Sequence, residues 1–278
     1  MVARILMDTA MGKTIVVTGA SSGIGRELVL QLAEPGVDFW LLGRDQGRLE
    51  KVAAEAVERG AAAKTQSLDL RDREQSAAFL NETFAEGVEV DEVYLSAAFT
   101  MFGEVKDLRD EDWQRIYETN LLGAVQWALH FFRVMVARGG GRIVVLSSLA
   151  AYTGYPTAAA YATMKAGLLG LFRSLWYEGR RHGVFCQIVS PGYVDTNIYK
   201  AAVFRNTTYE KTVGNIRKLG FPMLTAEETA VRIIRNVRKG KRQYVLPQYA
   251  ALMAWIAPRA PFLIDRVHRE VVKRFRER

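Results

Sequence analysis

The sequence predicts an α/β fold, a doubly wound parallel sheet built as a single domain. Three observations carry this. Short runs rich in β-branched and aromatic residues alternate with longer helical stretches from residue 14 to residue 247 without a break. No internal repeat, low-complexity linker or shift in composition divides the chain. Finally, 49% of the 278 residues are apolar, enough for one sizeable core. Alternating strands and helices imply a parallel sheet with helices on both faces, and ligands of such sheets bind at the carboxyl ends of the strands.

Taken in order, TIVVT (14–18) reads as the first strand, followed by a helix near 24–33 and the strand VDFWLL (37–42). A helix near 46–59 leads into KTQSLDL, a strand with its exit loop, then a helix near 73–86 and the strand VDEVYLS. One long helix is expected at 111–137, stopped by Gly139, Gly140 and Gly141, with RIVVLSS as the strand behind it. A helix near 158–180 and the strand VFCQIVS follow, closed by Pro191 and Gly192. Residues 193–223 show no clean period; a helix near 226–239 and the strand RQYVLP complete the sheet. Residues 1–12 read as a flexible leader in which Met7 and Met11 are alternative starts, 13–247 as the catalytic domain, and 248–278 as a basic, apolar extension.

The net charge of +8 is unevenly spread. Residues 231–278 hold 13 Lys and Arg against 3 Asp and Glu, so the body ahead of them is close to neutral. That argues against a nucleic-acid binder, which needs basic residues interleaved with exposed aromatics on a recognised fold; here the tail's aromatics lie apart from most of its charges. The single cysteine, Cys186, lies in an apolar strand and forms no internal disulfide, which fits a reducing, cytoplasmic setting. No apolar run is long enough to span a bilayer: 244–264 is interrupted by Pro247, Pro258, Arg259 and Pro261. Nothing suggests a metal site.

Directly after the first strand the chain reads TGASSGIG, placing Gly19, Gly23 and Gly25, with Ser21, Ser22 and Ile24 between them, where strand turns into helix. Glycine lets backbone approach a phosphate, and the helix start supplies free N–H groups and positive partial charge. The plain alternative is a tight turn without a ligand, but the first βα junction of such a sheet is where a dinucleotide binds. At the end of the second strand, where an acidic residue would meet the ribose hydroxyls, stand Gly43 and Arg44. A guanidinium there suits a 2′-phosphate, so NADPH/NADP+ is favoured over NADH/NAD+. Asp45 beside it weakens that signal.

Tyr161 and Lys165, in YATMK, are four apart on an expected helix and hence on one face. A lysine ammonium close to a phenol stabilises the phenolate and brings the tyrosine pKa down towards the working range. Ser148 ends the fifth strand, where its hydroxyl reaches a substrate carbonyl, and Asn120, in TNLLG, is placed to anchor a water or orient the lysine. Each has an ordinary reading alone; their order behind a glycine-rich turn argues for a site.

With these motifs the chain resembles the short-chain dehydrogenase/reductase family, of Rossmann-like fold, from about residue 13 to 247. The resemblance implies that Ser148, Tyr161 and Lys165 are the catalytic set, Asn120 completing a proton relay through water and Lys165 also touching the nicotinamide ribose. It implies that Asp69, with Leu70 beside it, meets the adenine, that Ala97 and Ala98 border the cofactor, and that Pro191, Gly192, Val194 and Thr196 hold the nicotinamide end. One departure stands out: the family's Asn-Asn-Ala-Gly stretch reads Ser96-Ala97-Ala98-Phe99, so Phe99 is expected to reshape the wall near the adenosine ribose.

The reaction implied is hydride transfer between nicotinamide and a carbonyl or secondary alcohol, in the reductive direction for NADPH. The substrate reads as a hydrophobic ketone, with a small soluble carbonyl compound or a catalytically silent dinucleotide-binding regulator as alternatives. The loop at 193–223, which carries Tyr193, Tyr199, Phe204, Tyr209 and Phe221, is expected to cover the site. Family resemblance also implies a homodimer or homotetramer, built on the apolar faces of helices 111–137 (Trp127, Phe131, Phe132) and 158–180 (Leu168, Leu169, Phe172, Trp176). The extension, with Leu252, Met253, Trp255, Ile256, Phe262, Leu263 and Ile264 ahead of its basic stretch, resembles an interfacial membrane anchor; a helix packed on its own subunit is the alternative.

Overall fold

The structure, a computed structural model, describes residues 12–85 and 87–276; residues 1–11, on which most of the expected leader at 1–12 falls, Glu86 and the final two residues lie outside them. The chain runs β1 (Lys13–Thr18), α1 (Gly23–Leu32), β2 (Val37–Gly43), α2 (Gln46–Glu58), β3 (Ala62–Ser67), α3 (Arg73–Thr83) and β4 (Glu92–Leu95). Then come β5 (Met101–Phe102), α4 (Asp110–Tyr117), α5 (Ala124–Arg138), β6 (Gly141–Leu146), α6 (Ala150–Thr153), α7 (Ala159–Arg180) and β7 (Val184–Pro191). The remainder is β8 (Val194–Asp195), β9 (Val203–Phe204), α8 (Tyr209–Lys218), β10 (Leu224–Thr225), α9 (Ala226–Arg238), β11 (Gln243–Leu246), α10 (Gln248–Ile256) and α11 (Pro261–Arg276).

Seven strands form one sheet in the order β11-β7-β6-β4-β1-β2-β3, every neighbouring pair parallel. Successive side chains of a strand point to opposite faces, and the sheet uses both. Ile15, Val17, Tyr94, Val144 and Leu146 pack into one core with α1, α2 and α9. Val16, Val93, Leu95, Ile143 and Val145 pack into the other with α5 and α7. The order reverses between β1 and β4, so the crevice of the fold opens at their carboxyl ends.

Local sequence accounts for the element ends. Asp45 and Asp72 cap α2 and α3 by accepting from the N–H groups of Arg48 and Gln75. Thr225 and Glu228 cap α9 reciprocally, each side chain accepting from the other's backbone N–H at 3.0 Å. As expected, α5 stops at Gly139, whose φ is 87°.

Two expectations need correcting. The single helix at 111–137 is broken by a π-helical turn, Glu118–Gly123, between α4 and α5. The extra residue brings Gly123 against the Leu70 loop so closely that a Cβ there would lie 2.8 Å from that of Leu70. Widened turns of this kind cluster at functional sites, and this one carries Asn120. Residues 193–223, which showed no period, hold α8 and one strand of each of two short parallel ladders, β9 against β5 and β8 against β10. Two-residue strands are too short to leave a pattern.

Candidate active site

One cavity of about 660 Å³ runs along the carboxyl ends of the strands. Its walls include Gly19, Ser21, Ser22, Gly23, Ile24, Arg44, Asp69, Leu70, Ala97, Ala98, Ser148, Tyr161, Lys165, Pro191, Gly192, Val194 and Thr196. The fold therefore gathers every one of these residues from elements and loops far apart in sequence. Gly25 and Asn120 stand just behind the wall. A Cβ on Gly25 would sit 2.2 Å from the Gly19 carbonyl oxygen, so that glycine is needed for α1 to leave the turn at all.

The dinucleotide end is shaped for an anion. Helix α1, with Ser22 at its N-cap, has no side-chain cap, unlike α2 and α3, and no acidic residue in its first turn. Its N–H groups and partial positive charge are therefore left for a ligand, and the pyrophosphate of a dinucleotide fits them. Arg44 is exposed on the cavity wall. Arg48, which sequence reading missed, joins it there but is tied to Asp45 at 3.1 Å. Asp69 does not present a bare carboxylate: Arg71 grips it with Nε and Nη2 at 2.6–3.1 Å. Burial pushes the Asp69 pKa up, but the Arg71 hydrogen bonds outweigh it and the net shift is downward. Among the described residues no group of His, Cys, Asp or Glu is arranged to hold a metal.

Helix α7 carries Tyr161 and Lys165 one turn apart, with the lysine Nζ 5.7 Å from the centre of the tyrosine ring. The helix is fixed to the sheet at this point. Ser147 donates to the Lys165 carbonyl at 2.8 Å, and Lys165 Nζ donates to the Leu146 carbonyl at 2.7 Å. Ser148 is half-buried and its hydroxyl accepts from the Ala150 N–H at 3.2 Å. The electrostatics differ from the expectation that the lysine lowers the tyrosine pKa. Burial pushes Tyr161 up to about 12, with a hydrogen bond from Ser148 opposing it, and pushes Lys165 down to about 7. Desolvation disfavours the charged form of each group, and it is the largest cause of both shifts.

Asn120 is fully buried, and its side chain is spent on the backbone of Phe99. Its Oδ1 accepts from the Phe99 N–H at 3.0 Å and its Nδ2 donates to the Phe99 carbonyl at 2.7 Å. The side chain thus pins the loop after β4 instead of orienting Lys165. Phe99 borders the cavity, as expected, but on the side of Tyr161. Its ring joins Met101, Ile116, Ala160 and Met164 beneath α4 and α7, with Tyr161 packed against the group. The family's glycine position is filled here by a side chain that packs against α7.

The opposite end of the cavity is aromatic, as the loop at 193–223 suggested. Tyr193 donates to the Tyr155 hydroxyl at 3.1 Å, and Phe102 stacks on Tyr199 and Phe204. The extension also reaches the cavity, which the sequence reading did not expect of it: Met253, Val267 and His268, from α10 and α11, line the wall. The apolar faces expected to build an oligomer are occupied within the chain, since Trp127, Phe131, Leu168, Leu169, Phe172 and Trp176 are all buried in it.

Comparison with known proteins agrees with this geometry. EphD of Mycobacterium tuberculosis, described as an oxidoreductase, is 36% identical over 207 residues, covering 73% of this chain and 35% of EphD. The chain thus spans about a third of the length of that relative. SadH of the same organism, also described as an oxidoreductase, is 30% identical over 242 residues, 86% of this chain and 88% of SadH. A variant of the actinorhodin polyketide ketoreductase, solved with NADPH, superposes with a TM-score of 0.72 at 26% identity, covering 84% of this chain and 95% of the ketoreductase. The family model for short chain dehydrogenases matches residues 13–205, which hold the glycine-rich turn, Ser148, Tyr161 and Lys165. The chain belongs to the short-chain dehydrogenase/reductase family.

Proposed function

We propose that the protein is an NADP(H)-dependent reductase of a hydrophobic ketone, or the dehydrogenase of the matching secondary alcohol. The observation that carries this is the layout of one cavity: Tyr161 and Ser148 stand between an anion-binding turn with Arg44 and an aromatic chamber. The reduced dinucleotide, when bound, supplies the hydride. Ser148 and Tyr161 donate hydrogen bonds to the substrate carbonyl oxygen, which polarises the bond and places the carbonyl carbon for attack. As charge develops on that oxygen, Tyr161 gives up its proton. A phenol with a pKa of about 12 is fully protonated at neutral pH, which is the form a proton donor needs. Lys165 supports the phenolate as it forms, and Asn120 holds the loop that backs Tyr161.

Arg44 pairs with the 2′-phosphate and sets the preference for NADPH over NADH. The working form is a homodimer or homotetramer in the cytoplasm, as oligomers are common in the family, joined through surface other than the side chains of α5 and α7 that are buried within the chain, with the basic, apolar extension at a membrane surface.

The test is a carbonyl panel running from polar to lipophilic, read as oxidation of NADPH. The expected result is turnover that rises with lipophilicity. In Arg44→Ala the KM for NADPH rises about tenfold or more while that for NADH is unchanged, the loss of one charge-assisted pair. Turnover confined to small polar carbonyls rejects the hydrophobic substrate, and equal effects on both cofactors reject the role of Arg44.

A further inference from the structure

The extension exposes large apolar side chains in one place. Leu252, Trp255, Phe262 and Leu263 are 57%, 57%, 66% and 51% exposed, and all lie at or beside the turn joining α10 to α11. Other exposed large apolar residues fall on separate elements, for example Val57 on α2 and Tyr177 on α7. An exposed apolar patch of this kind marks a surface that meets something. Arg259 borders it, its guanidinium over the Trp255 ring at 4.7 Å and one Nη donating to the Trp255 carbonyl at 2.9 Å. Along α11, Phe262, Arg266 and Arg269 follow at intervals of four and three, one exposed stripe running from apolar to cationic. The acidic residues here are Asp265, which is exposed, and Glu270, which Arg274 holds at 2.6 Å.

An aromatic and aliphatic tip ringed by arginines matches the boundary of an anionic bilayer, where apolar groups enter the acyl region and cations meet phosphates. A second copy docking there about a two-fold axis would instead bring this cationic patch against its own copy. The inner faces of the same two helices supply Met253, Val267 and His268 to the wall of the cavity. We propose that the α10–α11 turn docks on an anionic membrane surface and passes a lipid-dissolved ketone straight into the cavity behind it. The second half of this proposal rests on the reductase reading above; the docking does not.

The experiment compares the whole chain with a Trp255→Ser, Phe262→Ser, Leu263→Ser variant, whose changes are all on the exposed face. Each is sedimented with vesicles of equal parts phosphatidylcholine and phosphatidylserine, and with vesicles of phosphatidylcholine alone. The unaltered protein is expected to pellet with the anionic vesicles, less so at high salt and with the neutral ones. The variant's partition falls on the order of a hundredfold, because it has lost most of the apolar area that enters the membrane. Turnover of a water-soluble ketone stays the same in both, which shows that the variant folds, while turnover of a lipophilic ketone carried in the vesicles drops about tenfold. Equal pelleting of the two proteins overturns the docking, as does a variant that sediments as a smaller assembly with no vesicle binding by either protein. Vesicle binding without any turnover of ketones keeps the dock and overturns the delivery.

Discussion

Tyr161 and Lys165 illustrate how a spacing in sequence becomes chemistry only after burial is added. The four-residue interval puts both on one face of α7 whatever the rest of the fold does, and Tyr161→Phe is expected to lower turnover by about a hundredfold or more while NADPH affinity, followed by its fluorescence, is kept. Their pKa values could not be read from the interval, because they are set by desolvation, which the whole fold imposes. Lys165 supplies the clearest test. Its value falls from the ordinary 10.5 to about 7, so between those limits the unfolded chain binds a proton that the native chain does not, and the native state loses stability as pH falls. Lys165→Met removes that cost. The variant is expected to be inactive yet more stable than the parent, by a margin that widens as pH is lowered from 10.5 to about 7 and is constant below; denaturant titration across pH reads it. A variant less stable than the parent at pH 7 refutes the account.

The elements divide the labour between the two ends of the sheet. At the carboxyl ends lie the uncapped start of α1, the Ser148 loop and the π turn. At the amino ends, Glu92 of β4 is almost completely buried and accepts from Lys13 at 2.9 Å, Arg142 at 2.6 Å and the Tyr94 hydroxyl at 2.8 Å, binding β1, β4 and β6 together. Burial pushes the Glu92 pKa up, but the Lys13 and Arg142 charges win and the net shift is downward. A carboxylate of this kind stabilises the fold above its unfolded value of 4.5, and the contribution is lost as pH falls through its lower native value. Glu92→Gln is expected to cost about 3 kcal/mol at neutral pH, because two cations lose their buried partner, with the gap from the parent closing in acid. Thermal unfolding at neutral and acidic pH checks it; kcat is untouched, since the site lies at the other end.

At the scale of the whole molecule, the extension at 248–278 is part of the enzyme's interior as well as its outside. Ala250, Ile264, Val271 and Phe275 are buried, Asn215 of α8 donates to the Arg274 carbonyl at 3.0 Å, and Met253, Val267 and His268 complete the aromatic chamber. Under the proposed function, substrate and cofactor therefore touch different parts of the chain. Met253→Asp is expected to raise the KM for a lipophilic ketone about tenfold, as a polar group replaces an apolar wall, and to leave NADPH affinity alone. A parallel loss of cofactor binding would show that the chamber and the dinucleotide end are one unit.

What the sequence determined by itself is what depends on local chemistry: the strand runs, the Gly19-to-Gly25 turn, the α5 stop at Gly139, and the interval from Tyr161 to Lys165. Each is written within a few neighbouring residues, through period, cap or backbone freedom, and survives without knowledge of the rest. The tertiary structure decided what depends on distant residues meeting. The π turn sets Gly123 against the Leu70 loop, and the Asn120 side chain binds the Phe99 backbone because that backbone is there to receive it. Tyr161 holds its proton, and α10 and α11 become a cavity wall, for the same reason. Burial and contact belong to the folded chain, where residues separated by more than a hundred positions remove one another from water.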